Sequence, residues 1–508
     1  VEQRDIIEFL SSPSAHGGRP VERVETHASI VFLAGDRAYK LKRAVRYDYL
    51  DFSTAERRQA MCEAELALNR RTAPMLYDRV VPVTREAPGV FAIGGEGAPV
   101  DWLIVMRRFG QEDLLDRLAA RGRLPGSLMG TLATAIARMH AAAEPCHARG
   151  GAAAMAWVIE GNARGFASRP SLDAGLAAQV TARARAALAA HTPLLDDRQT
   201  RGFVRRCHGD LHLRNLVLID GTPTPFDAVE FNDDISCIDV LYDLAFLLMD
   251  LWRRSLRQHA NAVLNAYIGE TGDVQGLGLM PLFLSCRAAV RAKTGATSAA
   301  LEADPGKRAE LEQVAAGYLT LAHRLLDVPA ARLIAVGGLS GTGKTSLARS
   351  LAPELGAVPG ALVVRSDEVR KRQAGVPVLV ALAPDAYTAD ASNQVYATLA
   401  DLARQGVAAG YSVIVDAVFD RQADRIAIEE VAARAGVPFT GLWLDAPLEV
   451  RAQRVEQREG DASDADAAVV RLQADRDVGP IHWARVDAAL STAATRDHAR
   501  AVLDVQPV

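Results

Sequence analysis

Lysine is scarce in this 508-residue chain: only 6 of its 58 basic residues are lysines, namely Lys40, Lys42, Lys293, Lys307, Lys344 and Lys371. A generic cation here is an arginine, so a lysine inside a motif is informative, because its compact charge suits a single phosphate. The five cysteines (Cys62, Cys146, Cys207, Cys237, Cys286) include no CxxC pair. That argues against a disulfide framework or a zinc site. Long apolar runs are missing too: Leu244–Met249 falls far short of the roughly 20 residues that cross a bilayer. The N-terminal VEQRDIIEFL lacks a secretory pattern. The expectation is a cytoplasmic protein with no membrane partner. An excess of positive charge is also absent. Residues up to 330 carry 39 basic and 39 acidic side chains and those after it 19 and 23, so the C-terminal part holds the net −4. Phosphate backbones are bound by positive surfaces, so nucleic acid is not an expected partner.

What remains is a soluble-type composition, 49% hydrophobic and 24% charged, long enough for two to four domains. Residues 27–106 read as β-rich with one helix: a hairpin turning at 34–37, a helix over 53–71 and a strand over 102–107. Residues 112–200 read as helical, with Gly150-Gly151 as a break. Residues 204–231 read as strand and loop, with strands at 216–219 and 224–228, and helices follow to about Leu326. Beyond Val328-Pro329-Ala330, strands alternate with helices, the pattern of a parallel sheet. The strands assigned are 333–336, 362–365, 412–416 and 440–444, with a further one at 501–505.

In the C-terminal part, Gly338-Leu-Ser340-Gly341-Thr342-Gly343-Lys344-Thr345 follows a strand and opens a helix. Glycines let backbone N–H groups curl around phosphate oxygens at a helix N-terminus, Lys344 reaches the β/γ-phosphates, and the Thr345 hydroxyl suits Mg²⁺. Asp367 leaves the second strand toward the crevice where open α/β sheets bind ligands. It reads as a catalytic base that accepts the proton of an attacking hydroxyl, or as a group that holds Mg²⁺ through water, with an ordinary helix N-cap as the alternative. Arg370, one turn later, reads as a substrate residue for an anionic acceptor. Asp416 ends an apolar strand where a Mg²⁺-shell carboxylate is usual; a turn Asp is the alternative. Arg451, Arg454 and Arg458 share one helical face ahead of the polar loop GDASDAD. They read as a lid over the nucleotide phosphates or as a solvated basic face. At these residues, over about 332–505, the chain resembles the small P-loop kinases of the gluconate/shikimate-kinase and polynucleotide-kinase type. In that family the residue matching Asp367 is the base or acceptor-binding group.

In the N-terminal part, His208-Gly-Asp210-Leu-His212-Leu-Arg-Asn215 is followed by Asp227, placed at the end of a short strand. Kinase-type transfer needs a base near the acceptor hydroxyl and two Mg²⁺ ligands, which this set supplies. The loop resembles that of aminoglycoside phosphotransferases and choline-kinase-like enzymes, a branch of the protein-kinase-like fold, over about 25–325. The resemblance implies that Asp210 is the base, that Asn215 and Asp227 are Mg²⁺ ligands, and that Asp243 braces the loop. It also implies that Lys40 binds phosphate and pairs with Glu65; Lys42 alternates onto the same face and remains open for that role. The family's Gly-rich phosphate loop has no counterpart except Thr26–Ser29.

The fold expected is α/β and α+β. A protein-kinase-like bilobal domain occupies 1–328, its small lobe about 1–108 and its large lobe about 109–328, and a P-loop domain with a parallel sheet occupies 329–508. The function expected is a bifunctional kinase, using ATP or GTP with Mg²⁺ to phosphorylate hydroxyl groups of small molecules. One domain as a nucleotide-sensing regulator of the other, or a polynucleotide end kinase in the C-terminal domain, are the alternatives.

Overall fold

The computed structural model describes residues 3–47, 50–458 and 460–503. Its contacts group into two compact units, residues 1–157 with 192–250, and residues 158–191 with 251–508. The grouping by contact thus does not follow the 328/329 line.

The first unit holds a six-stranded antiparallel sheet in the order Val21–Glu25, Ser29–Ala34, Arg37–Lys42, Ala98–Arg107, Tyr77–Ala87, Val90–Ile93. Alternation along the strands builds two apolar faces. Ile30, Phe32, Leu41 and Leu103 pack with Ile6 and Leu10 of the helix Gln3–Ser11. Leu33, Ala38, Ile104 and Met106 pack with Cys62 of the helix Ala55–Asn69. Lys40 and Lys42, two and four residues past Ala38, therefore face that second helix. Thr54 caps it, its Oγ1 accepting the Arg57 N–H at 3.3 Å. The first hairpin turns without glycine because Thr26 Oγ1 accepts the Ser29 N–H at 2.9 Å. Helices over 115–120, 128–142, 151–167 and 174–200 fill the stretch expected to be helical, the third beginning at Gly151.

The second unit holds five parallel strands in the order Leu362–Arg365, Val413–Asp416, Leu333–Gly337, Phe439–Asp445, Ala484–Asp487. The first three are buried runs such as LIAVG and VIVD, as a sheet covered on both faces requires. Arg365 and Val336 both pair with Asp416, which aligns the strand ends that carry the site. The edge strand is covered: Asn265 Oδ1 of the helix Arg257–Thr271 accepts the Val363 N–H at 2.6 Å, and Asn261 Nδ2 donates to Ala361 O at 3.1 Å.

Three sequence expectations are corrected. Residues 501–503 end the helix Thr492–Leu503, and 504–505 lie outside the described residues. The fifth strand is instead Ala484–Asp487, whose ARVD carries no apolar run to announce it. Asp227 does not end a strand; the strand stops at Pro225, and Asp227 stands in the loop at φ +62°. The helix Leu448–Glu456 stops before Arg458, so the three arginines do not share one helical face.

Candidate active sites

In the first unit, Lys40 Nζ donates to Glu65 Oε1 at 2.7 Å and to Asp227 Oδ1 at 2.5 Å. Lys42 Nζ donates to Glu65 Oε2 at 2.6 Å and also pairs with Glu230. Both lysines thus hold Glu65, but only Lys40 reaches Asp227. The Lys42 side chain is 2% exposed and sealed between carboxylates, whereas that of Asp227 is 45% exposed. Burial pushes the Glu65 carboxyl up, yet the two ammonium groups outweigh it and hold it at about 2. Burial pushes Lys40 down, and Asp227 and Glu65 more than restore it. Glu230, by contrast, is pushed up by burial. The left-handed backbone of Asp227 is held from three sides: its N–H donates to Tyr77 Oη at 3.2 Å, the next N–H donates to Asn69 Oδ1 at 2.8 Å, and Lys40 holds its carboxylate.

The catalytic-type loop is pinned by Asp243, which accepts the N–H groups of His208 at 3.1 Å and Gly209 at 2.9 Å and contacts His140 Nε2 at 3.1 Å. Asn215 Nδ2 donates to both the carbonyl and Oδ2 of Asp210, each at 2.9 Å, so the expected base and metal ligand stand together. His212 Nε2 lies 3.3 Å from Asp210 Oδ2. His208 Nε2 contacts Phe226 O at 2.8 Å, which requires an Nε2–H donor, and Nδ1 accepts the Asp210 N–H at 3.4 Å. A neutral imidazole thereby ties the loop to the residue before Asp227.

Burial lowers the His208 pKa from its ordinary value. The unfolded chain therefore takes up this proton first, and the stability His208 contributes is present above its unfolded pKa of about 6.5 and lost as pH falls through it. Melting temperatures measured from pH 7.5 to 5 are expected to fall less steeply in His208→Asn than in the wild type. An equal slope overturns this account.

In the second unit, two glycines of the loop from Gly338 to Thr345 sit where no Cβ fits. Gly338 has φ +138° and a Cβ there would lie 2.6 Å from Leu444 O; Gly341 has φ +83° and its Cβ would lie 2.5 Å from Arg451 O. Lys344 Nζ reaches back to Leu339 O at 3.2 Å, and burial lowers its pKa. The Ser340 N–H donates to Gln473 Oε1 at 2.8 Å. Thr345 Oγ1 donates to Asp416 Oδ2 at 2.6 Å, bringing the two expected Mg²⁺ ligands into contact.

The helix Ser366–Gln373 has Arg365 at its cap position and no side-chain cap bond, so Asp367 is not the N-cap. Burial, then the neighbouring Asp416, push the Asp367 carboxyl up. Arg370 donates to Ala386 O at 2.6 Å and lies over the Tyr387 ring. Arg454 Nη1 donates to Ala488 O at 2.7 Å and reaches Thr342 O of the phosphate loop at 3.5 Å. Arg458 holds the carbonyls of Ser463 at 2.9 Å and Ala465 at 2.7 Å, closing the polar loop on itself. Arg451 is buried, with Nε and Nη1 unbonded among the described residues.

Sequence reasoning missed Arg365 and Asp461. Arg365 ends a buried strand, Leu362–Arg365, and its guanidinium touches Glu368, Asp416, Thr345 and Asp461. A lone charge closing an apolar run was the available signal. Lys371, also unassigned, pairs with Asp464 at 2.5 Å, and Tyr387 Oη donates to the same carboxylate at 2.6 Å.

The donor sets fit a hard divalent cation. Thr345 with Asp416, and Asn215 with Asp227, offer oxygen atoms of the kind Mg²⁺ takes beside nucleotide phosphates. In the first set a cation, Arg365, already lies against both oxygens.

Two family models match the chain. Residues 34–277 match the phosphotransferase enzyme family, and residues 333–478 match an AAA domain. An uncharacterized protein of Mycobacterium tuberculosis is 29% identical over 468 residues, covering 90% of each chain, and one of Mycobacterium bovis matches equally. Among solved structures, a choline/ethanolamine kinase family protein from Mesorhizobium loti is 19% identical with a TM-score of 0.39, covering 65% of this chain and 96% of that one. A sugar kinase from Janibacter sp. is 22% identical with a TM-score of 0.26, covering 35% and 97%. Among the described residues no helix is long and apolar enough to cross a membrane. On these two matches, one region of the chain is similar to a phosphotransferase enzyme family and a later region, whose sheet is parallel, is similar to an AAA domain, which supports kinase-type phosphotransfer.

Proposed function

We propose that the chain is a bifunctional cytoplasmic kinase. Each site transfers the γ-phosphate of ATP, with Mg²⁺, to a hydroxyl group of a small molecule, and the two functional regions divide at 328/329, between the matched segments. The observation that carries the reading is that each phosphate-type lysine stands in a complete constellation. Lys40 meets Glu65 and Asp227 near Asp210 and Asn215; Lys344 follows the glycine cradle beside Thr345, Asp416 and Asp367. Asp210 and Asp367 take the acceptor proton. Asn215, Asp227, Thr345 and Asp416 hold the metal. Lys40, oriented by Glu65, and the loop from Gly338 to Thr345 hold nucleotide phosphates, with Arg454 and Arg458 behind the loop. Lys40 is favoured over Lys42 because it alone touches Asp227. Arg370 serves the acceptor. The test is to incubate the full chain with ATP, Mg²⁺ and a panel of hydroxyl-bearing metabolites and aminoglycosides, scoring ADP and phosphorylated products by mass. No acceptor-dependent ADP from any panel member goes against it.

For the P-loop site, Asp367→Asn is expected to cut transfer by roughly 100-fold or more, the scale of general-base loss. Nucleotide affinity should hold, because phosphate contacts come from Gly338 to Thr345. Melting temperature should stay level or rise, since the variant removes a carboxylate that burial destabilises in its charged form. A fully active variant ends the base assignment.

A further inference from the structure

Four carboxylates converge at the end of the strand Leu362–Arg365: Glu368, Asp416 and Asp461 touch Arg365, and Asp367 lies within their field. The Arg365 side chain is only 3% exposed. Its five contacts are unequal. Nη1 to Glu368 is 2.7 Å, and Nη2 reaches both Asp461 oxygens at 3.1 Å; these are charge-assisted bonds. Toward the other side, Nη2 to Thr345 Oγ1 is 3.2 Å and Nε to Asp416 Oδ2 is 3.4 Å, the latter too long for a strong bond. Those two longer contacts fall on the pair of oxygens that stand 2.6 Å apart as metal ligands. A Mg²⁺ ion about 2.1 Å from each of these oxygens would set a second, doubly positive charge beside the guanidinium, and the two cations repel.

We propose that Arg365 is the resident counter-cation of the Thr345–Asp416 pair, and that it must withdraw onto Glu368 and Asp461 before that pair can ligate a metal. The inference rests on the P-loop nucleotide site proposed above. It gives Asp461, on the polar loop after Arg458, a positioning role: its carboxylate is the seat Arg365 moves to, so that loop is coupled to metal entry. The direction of movement follows from the arrangement of anions: Glu368 and Asp461 are the carboxylates touching Arg365 that lie outside the Thr345–Asp416 pair, so they keep the guanidinium when that pair takes a metal.

The test uses the full chain in an Asp227→Asn background, so that metal and nucleotide responses report the P-loop site. With Arg365 in place, Mg²⁺ alone should change the melting temperature little. In Arg365→Met the carboxylates lack their cation, and Mg²⁺ alone should raise the melting temperature by about 3 °C or more. A Mg²⁺ response no larger than that of the parent overturns the proposal. Asp461→Asn provides an independent arm should Arg365→Met not fold. With its seat weakened Arg365 stays on Asp416, so affinity for ATP with Mg²⁺ should fall about tenfold while affinity for ATP in EDTA is unchanged. Equal losses in both conditions, or none in either, count against the proposal. A parent chain whose ATP binding does not depend on Lys344 overturns the nucleotide site itself, and this inference with it; Lys344-dependent binding with no Arg365 effect removes the inference alone.

Discussion

Lys344→Ala should abolish most ATP turnover at the P-loop site, a loss of roughly 100- to 1000-fold, the scale seen when a preorganised positive group is removed from a transferring phosphate. Lys344 is the one lysine of that loop, and its ammonium bends back onto Leu339 O, over the glycine cradle, at 3.2 Å. Burial already disfavours its charge, so the site holds a cation at a cost that an anionic ligand offsets. Nucleotide affinity should drop as well, because the remaining N–H groups carry only partial charge. The measurement is ATP turnover and calorimetric ATP binding by the full chain with the other site silenced by Asp227→Asn. Unchanged affinity and turnover would dismiss the P-loop assignment.

The second large effect concerns the first unit, where two aspartates are expected to fail differently. Asp210→Ala should remove phosphotransfer by roughly 100-fold or more while nucleotide affinity stays near normal, because a base touches the acceptor and not the nucleotide. The Asn215 side chain keeps an anchor in this variant, since one of its two bonds goes to the Asp210 carbonyl. Asp227→Asn should instead weaken binding of ATP with Mg²⁺. Asn tolerates the left-handed backbone at φ +62°, so the change removes charge without new strain. Of its two hydrogen-bonded partners, Lys40 would then retain only Glu65 as an anion. Turnover and affinity measured in a Lys344→Ala background separate the two roles. Full activity in both variants would show that this unit is not a kinase of this type.

Charge tuning links the two sites. Each has a lysine set among carboxylates, and each has an acid whose environment moves its proton affinity: Glu65 is held low by two ammonium groups, and Asp367 is pushed up by burial. The first suits an anion that orients a lysine. The second gains basicity, which suits the group that accepts one.

The sequence by itself determined whatever depends on neighbouring residues. The phosphate chemistry proposed for the loop from Gly338 to Thr345 uses consecutive N–H groups, so it is written in eight contiguous residues. His208 to Asn215 fixes the spacing of Asp210 and Asn215 within one turn of chain. Period-two alternation placed Lys40 and Lys42 on one face, and strands alternating with helices, among them 333–336, 362–365 and 412–416, announced a parallel sheet. Tertiary structure alone decided the pairings that cross long stretches of chain. Lys40 meets Asp227 across 187 residues and Lys42 meets Glu230 across 188, and this contact separates two lysines that the local pattern left equivalent. Arg365 meets Asp461 across 96 residues, so although a charge closing an apolar run marks Arg365 locally, its partner there is set by the fold. The strand Ala484–Asp487 pairs only because the strand Phe439–Asp445 presents an edge to it. Motif chemistry is local and therefore legible; the partner of a buried charge is set by which elements the fold brings beside it, and a residue type alone does not encode that.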